Sequence, residues 1–169
     1  MQFPNDKKGK RVAYYGLCIA LAFVLSYLES LLPVFTGVPG VKLGLTNLVV
    51  LVALYRMKVY DALFINVVRI ILVGLTFGNG YSFLYSLAGG IFSFVVMVIL
   101  YRSKKFGSVG VSVSGGVAHN FAQIAVAMLI METHALLFYL PVLILSGTMA
   151  GVLVGILSGQ IVKRLPRDL

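Results

Sequence analysis

The chain has 169 residues, 60% hydrophobic and only 11% charged, with 14 Lys and Arg against 5 Asp and Glu. A soluble domain carries about 25% charged residues, so this composition, with a mean hydropathy of +1.01, excludes an ordinary soluble enzyme and indicates a protein of the lipid bilayer. The net charge of +9 does not indicate nucleic acid, because the cations flank apolar runs and form no continuous stripe.

Six apolar segments follow one another: residues 12–32, 43–55, 60–77, 81–101, 111–131 and 135–162. A spanning helix needs about 20 apolar residues, so the expected fold is an all-α membrane protein of six transmembrane helices. Residues 1–11 would be an N-terminal tail, 12–162 the membrane domain and 163–169 a C-terminal tail. The first segment follows a basic stretch, yet it is too long for a signal peptide and has no small-residue cleavage site. The second is short for a span, which suggests a tilted or broken helix, or a loop that dips into the protein. Pro33, Gly37, Pro39 and Gly40 mark the first loop as non-helical.

Of the 14 cations, 12 cluster at the termini or in two connections: Lys7, Lys8, Lys10, Arg11; Arg56, Lys58; Arg102, Lys104, Lys105; Lys163, Arg164, Arg167. With six spans every cluster falls on one side, which the positive-inside rule makes cytoplasmic, along with both termini. The expected location is the bacterial cytoplasmic (inner) membrane. Lys42 and Arg69 break the pattern and mark the candidate functional region.

Arg69 lies in the middle of the third segment, where an arginine costs about 2.5–3.5 kcal/mol to insert. It should face the interior and have a partner: either a buried ion pair with Glu29 or a ligand. At about 1.5 Å rise per residue, Arg69 and Gln123 sit at one level, His119 and Asn120 somewhat deeper, and Glu29 and Asn47 nearer the outside. Asn66 lies one turn from Arg69 on the same face. Lys42, beside a Pro/Gly loop and a helix start, suits an anion. Asn79 in the outer turn, with Tyr81 and Tyr85, completes the candidate binding set; the aromatic residues serve equally as a cavity wall or as an interfacial belt. His119 and Asn120 have the alternative of bonding neighbouring helices.

Gly147, Gly151, Gly155 and Gly159 form a stripe spaced by four on the last helix, and Ala13, Gly16 and Ala20 a shorter one on the first. Such stripes let helix backbones approach closely in lipid. They serve internal packing or the docking of a partner protein. Catalytic chemistry is thinly supplied. The sequence has no DDxxD motif, no Walker A sequence and no GxSxG, HExxH or CxxC. No cofactor or metal is implied, and a binding role is expected.

Three runs carry a resemblance: Gly40-Val41-Lys42-Leu43-Gly44-Leu45-Thr46-Asn47, then Phe77-Gly78-Asn79-Gly80 through Gly89-Gly90, and Ser114-Gly115-Gly116-Val117-Ala118-His119-Asn120. Together they resemble the Gx transporter family, also called heptaprenyl diphosphate synthase component I. The size and the small-residue first helix are similar to substrate-binding (S) components of energy-coupling factor transporters. That resemblance implies an S-component-like bundle that captures a small compound from outside and works with a transmembrane coupling protein and two ATPases. It also implies docking through the first helix and a lid between the first two helices, about residues 33–42. The synthase label implies instead a non-catalytic accessory subunit in polyprenyl diphosphate and menaquinone supply.

Overall fold

The computed structural model describes residues 7–31, 44–77 and 80–165. It contains six α-helices: α1 (Lys7–Leu31), α2 (Leu45–Arg56), α3 (Val59–Thr76), α4 (Gly80–Ser103), α5 (Ser108–Met131) and α6 (Leu140–Arg164). A 3-10 helix, Ala135–Tyr139, joins α5 to α6. Five stretches are long and apolar enough to cross a membrane: Gly9–Leu31, Val59–Thr76, Gly80–Ser103, Ser108–Met131 and Ala135–Arg164.

The second helix is the exception. Its 12 residues extend about 18 Å, against a hydrocarbon core about 30 Å thick. It survives because protein surrounds it: Val49, Val50, Leu51, Ala53 and Leu54 are all buried, the pattern of a helix apolar on every side. They pack with Ala62 and Ile65 of α3, Phe94 and Met97 of α4, Val111 of α5 and Val154 of α6 in one core. The short helix is thus the centre of the bundle.

Contacts between helix ends give the direction of each helix. The end of α1 meets the start of α2, where Ser26 bonds Thr46. The start of α1 meets the start of α3, where Arg11 pairs with Asp61. Late α3 meets early α4 at Gly74 and Phe83, late α4 meets early α5 at Met97 and Gly115, and the start of α5 meets late α6 at Ser108 and Gly159. Helices consecutive in the chain therefore run antiparallel, α1 and α3 run parallel, and Arg11, Arg56, Lys58, Arg102, Lys104, Lys105, Lys163 and Arg164 share one end of the bundle.

Local features depart from the sequence expectation in three places. The basic stretch assigned to a tail is already helical from Lys7. The last segment is divided, because Pro141 sits in the first turn of α6, where its missing N–H does no harm. The sequence places Asp61 close to Arg56 and Lys58, which suggests an ordinary ion pair there, yet it binds the Arg11 guanidinium and accepts the Lys58 backbone amide at the start of α3.

The glycine stripe of α6 is spent inside the chain. A Cβ at Gly147 would lie 3.1 Å from the Gly116 carbonyl oxygen, one at Gly151 2.6 Å from Val113 Cα, and one at Gly155 2.5 Å from Val109 Cα. At Gly159 it would meet Ser108 Oγ at 2.6 Å. The assignment of Gly147, Gly151, Gly155 and Gly159 to partner docking is therefore corrected: α5 already occupies that face. On α1 the outcome differs. Ala13, Gly16 and Ala20 are exposed, and nothing lies within 4 Å of a Cβ built on Gly16.

Candidate functional site

Between α1, α2, α3, α4, α5 and α6 lies a cavity of about 290 Å³. It reaches from the end opposite the basic clusters, at Ser30, Gly44, Phe77 and Ser82, down to Ser112, Gly151 and Val154. Two close helix approaches frame it. Phe83 packs directly over Gly74, where any side chain would collide with its ring. Phe77 stacks with Phe23 and Tyr27 at ring-centroid distances of 5.1 and 5.6 Å, closing the side between α1 and α3.

Arg69 lines this cavity. Its Nε and Nη2 donate to Asn66 Oδ1 at 3.1 and 2.9 Å, and Nη2 also reaches Asn47 Oδ1 at 3.3 Å. Asn66, 1% exposed, is itself fixed by donating from Nδ2 to the Gly90 carbonyl at 3.1 Å. Both acceptors are neutral, so these bonds orient the guanidinium without cancelling its charge. The Glu29 carboxylate lines the same cavity. Its Oε1 accepts the Gly44 amide at 2.6 Å, which satisfies a free N–H at the start of α2. Gly44 has φ 70°, a conformation that glycine adopts without steric cost.

Hydroxyl groups complete the polar lining. Ser26 donates to the Ala22 carbonyl and sits 2.8 Å from Thr46 Oγ1, so the Thr46 hydroxyl donates to Ser26. Asn120 donates to the Leu143 carbonyl at 2.6 Å, pinning α5 to α6 in the cavity wall. Among the described residues no group of three His, Cys, Asp or Glu side chains forms.

The structure brings together Glu29, Asn47, Arg69, His119 and Asn120 on the cavity wall, with Asn66 behind Arg69. Lys42 and Asn79, and the lid expected over residues 33–42, lie outside the described residues. Tyr81, Tyr85 and Gln123 are corrected: none of them lines the cavity. Tyr81 is 61% exposed, as an interfacial aromatic would be. Gln123 instead packs with His119 over Gly89. The aromatic wall is formed by Phe77 and Phe83. Sequence reasoning missed the hydroxyls as a set. The signal was present in two pairs spaced by four, Ser26 with Ser30 and Ser82 with Ser86, each on one helix face.

An apolar helical bundle with a polar cavity sunk into it from one end defines a multi-pass membrane protein. Within that class, the chain belongs to the heptaprenyl diphosphate synthase component I family, whose model matches residues 18–161. It matches no curated protein and no solved structure.

Proposed function

We propose that this chain is the membrane-embedded substrate-binding component of an energy-coupling factor type transporter. It captures a small amphipathic anion, an isoprenoid or quinone precursor or a vitamin-like compound, from the outer side of a bacterial cytoplasmic membrane. The observation that carries this reading is the cavity: Arg69, Asn47, Glu29, His119 and Asn120, from four helices, converge under Phe77 and Phe83. A charged group in a membrane helix is retained where it serves a ligand path or a specific partner. The opening at the end away from the basic clusters makes the cavity outward-facing under the positive-inside rule. Residues 1–11 and the C-terminal basic stretch then lie in the cytoplasm.

The family description supports a second reading, a non-catalytic membrane subunit of a polyprenyl diphosphate synthase. Gentle affinity purification from native membranes, with mass spectrometry of proteins and small molecules, separates the two. A coupling protein with two ATPases and a retained small molecule is the expected result. Recovery of a prenyl synthase without ATPases would transfer the assignment to the accessory subunit.

A further inference from the structure

The cavity carries a charge balance that bears on its ligand. Among the described residues, Arg69 and Glu29 are the charged side chains on its wall. Arg69 has five N–H donors; Nε and Nη2 are engaged by Asn66 and Asn47, which leaves Nη1 to meet a ligand. Glu29 is held in place by the Gly44 amide and lines the same cavity as Arg69. The wall therefore has one cation offset by one carboxylate. Lys42, outside the described residues, would raise the total only to two cations against that carboxylate. A diphosphate brings several negative charges and many acceptor oxygens, and burying charge without matching partners is costly. Size acts in the same direction: a cavity of about 290 Å³ lies at the small end of the range of about 300–1,000 Å³ usual for ligand pockets.

We infer that the cavity selects a compact monoanionic carboxylate and rejects diphosphates, with Arg69 Nη1 holding the carboxylate and Glu29 setting the limit on ligand charge. The hydroxyls of Ser82 and Ser86 suit polar substituents, and Phe77 and Phe83 an aromatic or apolar body. This inference rests on the binding reading proposed above and narrows its ligand class.

The test is equilibrium binding to the purified chain in lipid nanodiscs with two probe sets. One set is inorganic diphosphate and isopentenyl diphosphate. The other is a panel of small aromatic and hydroxylated carboxylates. A carboxylate should bind saturably and lose about tenfold or more in affinity in Arg69→Gln, as expected for a lost hydrogen bond to a charged group. The diphosphates should not compete. Glu29→Gln retains an oxygen for the Gly44 amide and removes the charge, so it should tighten carboxylate binding and admit isopentenyl diphosphate. Saturable diphosphate binding to the wild type would overturn the inference while upholding a binding role. Carboxylate binding that ignores both substitutions would overturn it too. Binding of neither set would overturn the inference and leave the binding reading to be decided by the small molecules and proteins that co-purify with the chain.

Discussion

Arg69 is held by residues that are themselves fixed. Asn66 links α3 to the Gly90 carbonyl of α4 while accepting two bonds from Arg69. Asn66→Ala removes all three and leaves a buried carbonyl and a charged donor short of partners. Each such loss costs about 1–3 kcal/mol. Thermal unfolding in detergent should show a clear drop in Tm, and ligand affinity should fall with it. Asn66→Asp keeps the acceptor for Arg69 and loses the donor to Gly90. It should lower anion affinity further, because its carboxylate would cancel the guanidinium charge that the neutral Asn66 preserves. Anion affinity equal to that of the wild type would mean that Asn66 serves the fold alone. Arg69 was legible in the sequence as an expensive charge in an apolar segment, and Asn66 as its neighbour one turn away. The Gly90 carbonyl was not legible, because a backbone acceptor leaves no mark in the residue pattern.

At the scale of elements, the two small-residue stripes look alike in sequence and behave differently in the fold. Spacing by four defines a face and says nothing about what lies against it. On α6 the facing element is α5, with backbone atoms of Val113 and Val109 where a Cβ would go at Gly151 and Gly155. Gly151→Ala therefore forces the two helices apart and should cost about 1–3 kcal/mol, the usual scale of overpacking, read as a lowered Tm. On α1, Gly16 faces open space. Gly16→Leu should leave Tm unchanged within about 0.5 kcal/mol of stability, yet block co-purification of a coupling protein if α1 is the docking face. A large stability loss in Gly16→Leu would show instead that this face packs within the chain. The helix count was readable because bilayer thickness fixes segment length. The role of α2 was only partly readable. Its shortness was visible in the sequence, but its central position depends on Ala62, Phe94 and Val154 gathering around it, and these come from three distant segments.

For the whole molecule, direction across the membrane decides what the cavity can do. The contacts that make consecutive helices antiparallel gather the basic residues at one end and the cavity mouth at the other. Sequence and fold agree here for separate reasons, one from charge bias and one from packing. Cys18 is the chain's one cysteine, so Cys18→Ser provides a background for accessibility mapping. In it, Thr133→Cys, in the short connection after α5, should react with a membrane-impermeant maleimide in intact cells. Lys104→Cys, in the connection between α4 and α5, should react only after the membrane is opened. The reverse pattern would turn the cavity mouth toward the cytoplasm. Arg69 and Glu29 would then face the compartment that supplies isoprenoid precursors, and capture from outside would give way to the synthase-associated role. The charge limit set by Glu29 would still stand, because it depends on the cavity wall and not on the side from which a ligand arrives.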